Sequence, residues 1–236
     1  MLKTPAIIQG HLTLESLLAA AVYERTGLMR EGALEKVPVS FIQHGEDKVW
    51  LASSAFLEGC VRRDRTTIIR RRTRNEMGPG FYEPNLRARK VDPFFVDQSQ
   101  GDFKALLNTY PTYEAERLVW YFVGEAEQCA DMVGSLMFIG KRRGQGFGEI
   151  GDVQIREVDE NPIVDAMGMV RRPIPVHLLD LIEGAAPLNT QTVLFTVAQH
   201  PAYGHQPVQC AVPPSNVLKF VLAESGEGGQ QEAFFE

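Results

Sequence analysis

Three consecutive cations, Lys141, Arg142 and Arg143, lead into Gly144-Gln145-Gly146-Phe147-Gly148-Glu149-Ile150-Gly151. Small residues let a ligand approach the backbone closely, and adjacent cations draw an anion to it. Lys141, Arg142, Arg143, Gly144, Gln145, Gly146 and Phe147 therefore form a candidate phosphate grip. Gly146 to Gly151 also spell G-x-G-x-x-G, but a dinucleotide fingerprint follows a strand and opens a helix. Here a helical stretch precedes the glycines and a strand-like stretch follows them. That order favours a nucleic-acid backbone over a dinucleotide. A Walker loop is excluded, because Arg142 stands after Gly140-Lys141 where the magnesium-binding Ser or Thr is needed. The plain alternative is a turn whose bends need positive φ. Phe147 reads equally as a core plug or as a platform on which a base stacks.

A second concentration of charge lies upstream. Residues 62–90 hold Arg62, Arg63, Arg65, Arg70, Arg71, Arg72, Arg74, Arg87, Arg89 and Lys90 against Asp64, Glu76 and Glu83. The segment carries +7 in a chain of net −6, so the remainder carries −13. A charge run is commonly a solvated face. This one is almost wholly arginine, which binds phosphate with two parallel donors and stacks on bases, and the acidic surroundings focus binding at one place. Phe81, Tyr82, Phe94 and Phe95 lie close by in sequence. Aromatics among arginines suit single-stranded RNA, or they anchor a long insertion to the core.

Other chemistries find little support. His11, His44, His177, His200 and His205 form no His-x-x-His or His-Glu-x-x-His pair. His200, His205 and Cys210 match no common zinc spacing, so no metal or cofactor is expected. His11 or His44 offers a general base for a metal-independent ribonuclease, without an identified acid. Cys60, Cys129 and Cys210 lie far apart and point to a reducing compartment. The apolar runs Leu17–Val22 and Leu118–Val123 have six residues each, too few to span a bilayer. Met1-Leu2-Lys3-Thr4-Pro5 lacks a signal peptide's apolar core. A cytoplasmic protein is expected.

The elements that must position these residues follow from periodicity. Ala6–Gly10 reads as a short strand. Thr13 is placed to cap a helix in which Leu14, Leu17, Leu18, Ala21 and Val22 fall on one face, with Gly27 as its stop. Val37–Gln43 and Lys48–Ser54 read as strands around a His44-Gly45-Glu46-Asp47 turn. Residues 57–112 read as an insertion projecting from the core, with Thr66–Arg72 as one arm of a β-ribbon. Leu118–Val123 reads as a buried central strand. Glu125–Phe138 reads as a helix presenting Cys129, Met132, Val133, Leu136 and Met137. Val153 and Ile155 alternate as a strand after the glycine loop. The order β-α-β-β-α-β predicts an α+β fold with a ferredoxin-like (RRM-like) core. Val193–Ala198 and Val217–Leu222 add C-terminal strands. Residues 1–222 read as one domain and 223–236 as a frayed tail.

A ferredoxin-like core, a basic ribbon insertion and a glycine loop before the last core strand resemble the CRISPR-associated RAMP superfamily. Leu12–Ala21 (LTLESLLAAA), Gly140–Gly151 and Arg171-Arg172-Pro173-Ile174-Pro175-Val176 are most similar to the family-five subunit in its type IV form. The resemblance implies an antiviral defence role as a non-catalytic subunit of a ribonucleoprotein. It implies that the subunit caps the 5′ handle of the guide RNA (crRNA) beside a family-seven-like backbone subunit and a large subunit, near target DNA at the first guide positions. By the same resemblance a β-hairpin "thumb" falls within Cys60–Lys90. Relatives that cleave precursor RNA carry their own acid and base, and no such set is placed here. The rival readings are a RAMP endoribonuclease that matures the guide precursor, and an assembly module whose arginines meet acidic protein surfaces. The nuclease kind has its glycine loop near the C-terminus, whereas 85 residues follow Gly151 here.

Overall fold

Leu14, Leu17, Leu18, Ala21 and Val22 are all buried along helix α1 (Leu14–Thr26). Burying each Leu or Val contributes about 1.5–3 kcal/mol. Gly27 ends the helix at φ 73°, and its N–H returns to the Tyr23 carbonyl at 2.8 Å. Thr13 sits at the N-cap, but its hydroxyl caps nothing: Oγ1 is buried with no hydrogen-bond partner among the described residues. The computed structural model describes residues 1–8, 10–28, 30–70, 105–198 and 206–215.

Short α2 (Arg30–Leu34) follows, then a hairpin of β1 (Phe41–His44) and β2 (Asp47–Trp50). His44 pairs with Asp47, so Gly45 and Glu46 make the turn, with Gly45 at φ 60°. The first strand is shorter than Val37–Gln43, because Val39 only bridges to Gly124. The second ends before Ser54, and Ala52 continues it as a bridge to Phe122. β3 (Phe56–Glu58) pairs antiparallel with β6 (Arg117–Val119). Between them in sequence, β4 (Arg62–Arg70) and β5 (Leu106–Glu114) form an antiparallel ribbon, in register from Arg62↔Glu114 to Arg70↔Leu106. The ribbon arm expected at Thr66–Arg72 therefore forms over Thr66–Arg70 and starts earlier, at Arg62; Arg71 and Arg72 lie outside the described residues.

Helix α3 (Ala126–Ser135) is shorter than Glu125–Phe138. Leu136 is already extended (φ −79°, ψ 129°), so helical periodicity no longer governs Met137, which is 74% exposed. Leu118–Val123 lies inside the pairing order but is neither continuous strand nor fully buried. Only its first two residues lie in β6, residues 118–122 are half-buried, and Val123 is exposed. The strand expected at Val153–Ile155 is also absent. Residues 152–160 are exposed coil, and the two-residue apolar face of Val153 and Ile155, among Asp152, Arg156, Glu157, Asp159 and Glu160, pairs with no other strand.

Isolated bridges relate the N-terminal segment to both its neighbours. Ala6 pairs with Tyr113 on one side, while Ile7 pairs with Lys141 and Leu2 with Ile150 on the other, all antiparallel. Across the pairings the order is 138–150, 2–7, 113–122, 52–58. Leu17 and Ala21 of α1 pack with Leu136 and Ile139 beyond α3, and Leu14, Leu18 and Val22 pack with Cys129 of α3. The fold is α+β with small antiparallel sheets. A C-terminal sheet of β7 (Ile174–Pro175), β9 (Val208–Val212) and β8 (Thr192–Thr196) lies in that lateral order. β8 realises most of the strand expected at Val193–Ala198. The expected strand Val217–Leu222 and the tail 223–236 fall outside the described residues. Among the described residues no helix is long and apolar enough to cross a membrane.

A buried ion pair locks the C-terminal segment to this framework. Arg172 Nη2 donates to Glu15 Oε1 at 2.7 Å and Nη1 to Oε2 at 3.3 Å. Nη1 also donates to the Trp50 and Ala52 carbonyls, each at 3.0 Å. A buried charge pair is tolerated only when further hydrogen bonds replace lost water, and the two carbonyls supply them.

Candidate nucleic-acid interface

The ribbon has two different faces because side chains alternate along each strand. On one, Thr66 and Tyr110 are half-buried and Thr112 is buried, with the Thr66 and Thr112 hydroxyls 3.4 Å apart. This face turns toward the body of the protein. On the other, Arg63, Arg65, Thr67 and Thr109 are exposed, and Ile69 and Leu107 pair across the strands at 69% and 70% exposure. The Arg63 guanidinium stands 5.8 Å from the Tyr113 ring centroid. The outward face thus joins two cations and an apolar pair, while Tyr113 beside Arg63 is half-buried against the cluster of Ala6, Ile8 and Leu57. Arg62 is also exposed, but on the inward register opposite Glu114. Arg70 ends β4. Arg71, Arg72, Arg74, Arg87, Arg89 and Lys90, with Phe81, Tyr82, Phe94 and Phe95, lie outside the described residues.

The glycine loop is a folded turn, not an open cradle. A 3-10 turn at Arg143–Gln145 is bracketed by Arg142 (φ 61°) and Gly146 (φ 85°), both left-handed. Gly148 has φ 74°, and a Cβ there would sit 2.0 Å from the Ile139 carbonyl oxygen. Gly144 and Gly146 face open space. Within Lys141–Phe147 the N–H groups of Lys141, Gln145 and Gly146 are already spent inside the chain, as are those of Gly148 to Gly151. Lys141 donates to Ile7, Gln145 to Arg142, Gly146 to Arg143, Gly148 to Pro5, Ile150 to Met137 and Gly151 to Met1. Glu149 donates to the Thr4 hydroxyl, which itself donates to the Gly146 carbonyl. Phe147 is half-buried.

The loop's side chains reach the neighbouring elements. Arg142 Nη2 donates to the Tyr110 hydroxyl at 2.8 Å, and its guanidinium carbon is 5.2 Å from that ring's centroid. Arg143 forms an ion pair with Glu24 of α1. Lys141 is exposed. Tyr110 stands opposite Thr66 on β5, so the glycine loop is fastened to the inward face of the basic ribbon. Two cationic segments far apart in sequence thereby become neighbours. Tyr110, Tyr113 and Glu24 were not among the residues singled out by type and spacing. Tyr113 stands opposite Arg63 on the partner arm, a pairing that shows only once the register is known, and Tyr110 stands opposite Thr66. Glu24 carried no signal beyond its place at the end of an amphipathic helix.

The nuclease reading named His11 and His44. His44 is exposed at the end of β1. His177 Nε2 lies 3.0 Å from Asp47 Oδ2, with both side chains well exposed. His200 and His205 lie outside the described residues. No curated protein matches the chain. Residues 1–165 match the family model described as CRISPR type IV associated protein Csf3.

Proposed function

The chain belongs to the Csf3 family of CRISPR type IV associated proteins, the family-five subunit of type IV systems, and on that premise we propose that it is a non-catalytic RNA-binding subunit of a type IV ribonucleoprotein effector. It caps the 5′ handle of the guide RNA and starts assembly of the backbone. The observation that carries this reading is the Arg142–Tyr110 contact. It fastens the cationic loop to the arginine-bearing ribbon, so one strand of RNA can run from Lys141 and Arg143 onto the ribbon.

Side chains do the work. Exposed arginines on the ribbon meet phosphates, and Tyr113 and Phe147 offer ring faces to unstacked bases. The ribbon corresponds to the thumb implied by the family resemblance, and its outward face meets the RNA or the guide–target duplex. The lateral order of the core segments, with both helices packed together, supports a ferredoxin-like arrangement with the N-terminal segment at its centre. The family-seven-like backbone subunit and the large subunit dock beside the handle, near target DNA. The protein works in the cytoplasm and needs no metal or cofactor.

The test is co-purification with its genomic neighbours, followed by sequencing of the bound RNA's 5′ ends. A single repeat-derived 5′ end is expected. Absence of RNA from an assembled complex would favour the assembly-module reading instead. Incubation of the purified protein with repeat RNA should leave it intact with or without divalent cations. Specific cutting within the repeat, lost in His11→Ala or His44→Ala, would install the endoribonuclease reading.

A further inference from the structure

We infer that Glu24 holds Arg143 in reserve: its carboxylate occupies the guanidinium that an RNA phosphate takes on binding, so α1 carries a built-in competitor for the RNA backbone. This rests on the reading of the loop as an RNA grip. A carboxylate and a phosphate present the same acceptor oxygens to a guanidinium. The pair is placed to exchange one for the other. Arg143 and Glu24 side chains are 45% and 42% exposed, so a phosphate can approach from solvent while the carboxylate swings away. The contrast within the same molecule is Arg172–Glu15, at 3% and 0%, which no outside anion can reach.

Glu24 has no local reason to sit where it does. It lies in the last turn of α1 (Leu14–Thr26), where the helix dipole disfavours negative charge. Its neighbour Arg25 satisfies that dipole and ties the turn to α3 through Asp131 and Ser135. Glu24 instead reaches a residue 119 positions away. Arg142, by contrast, is met by the neutral Tyr110 hydroxyl, and among the described residues no carboxylate pairs with it. The loop's cations therefore divide: Arg142 positions the loop, and Arg143 is released to the ligand. The effect is to discriminate against isolated or weakly held phosphates, since binding at Arg143 must first displace an anion already there.

The test is fluorescence anisotropy of the full chain with a labelled single-stranded repeat RNA over a salt series. The variants are Glu24→Gln, Arg143→Gln, the double variant, and Glu46→Gln as a charge control on the exposed hairpin turn. At low salt Glu24→Gln should bind about two- to fivefold tighter than the parent, the range set by an exposed ion pair. The gain should close as salt screens the pair, and should be absent in the Arg143→Gln background. Equal or weaker binding by Glu24→Gln, with Arg143→Gln still impaired, would overturn the inference and leave the RNA grip standing, as would an equal gain from Glu46→Gln. Parental affinity in Arg143→Gln and in the Lys141/Arg142/Arg143→Gln triple would remove the grip and the inference together.

Discussion

The Arg142 guanidinium donates to the Tyr110 hydroxyl at 2.8 Å, from a residue that is itself held at φ 61°. Among the described residues Arg142 is the one non-glycine with positive φ. A left-handed arginine costs about 1–2 kcal/mol, so the contact it makes is one the fold supports at some expense. Tyr110→Phe should lower stability by only ~0.5–1.5 kcal/mol, the net value of one hydrogen bond. It should also weaken RNA binding, because the loop is no longer held to the ribbon. Melting and anisotropy on the same preparation separate the two effects.

The glycines should rank by what surrounds them. Gly144→Ala faces open space at ordinary φ and should change stability by less than ~0.5 kcal/mol. Gly146→Ala meets no atom but keeps φ 85°, which costs about 1–2 kcal/mol. Gly148→Ala adds a backbone clash to positive φ and should be the most damaging of the three. Thermal melting of the series checks the order.

The Arg172–Glu15 pair should behave as a buried charge pair. Arg172→Met leaves Glu15 charged and fully buried, which costs about 3–5 kcal/mol. The double replacement Glu15→Leu with Arg172→Leu should cost less than the two single changes added, because neither charge is then orphaned. Chemical denaturation reads both.

The thiols should divide sharply. Burial pushes Cys129 up to about 11, with Glu125 adding to the effect, and burial pushes Cys210 up to about 11. Both sites disfavour the reactive thiolate at pH 8. Cys60 is exposed. A thiol-titrating disulfide reagent should consume one thiol rapidly in the native protein and all three after unfolding.

Local pattern carried the reading furthest where local chemistry decides. Five apolar residues at helical spacing and Gly27 gave α1, and alternation in Thr66–Arg72 gave an arm of the ribbon. It misled at Met137, where the helix had already ended, and at Val153–Ile155, where alternation had no apolar partner to pair with. Long-range acceptors take several of the loop's N–H groups: Ile7 that of Lys141, Pro5 that of Gly148 and Met1 that of Gly151. Nothing near the loop in sequence announces them. The same limit hid the link between two stretches singled out separately. Glu15 lies in Leu12–Ala21 and Arg172 in Arg171–Val176, and they meet across 157 positions.

The central claim, that the cationic loop and ribbon grip RNA, is tested most directly by RNA affinity against salt for Lys141/Arg142/Arg143→Gln beside the parent. These residues are exposed or half-exposed, so melting should fall by little more than in Tyr110→Phe, which loses the same hydrogen bond. Binding should weaken by about 1–3 kcal/mol, and the salt dependence should flatten by roughly 0.7 for each phosphate that is no longer neutralised. Arg63→Ala with Arg65→Ala on the ribbon should flatten it again. Parental affinity and parental salt slope in the triple variant, with melting as expected, would contradict the account.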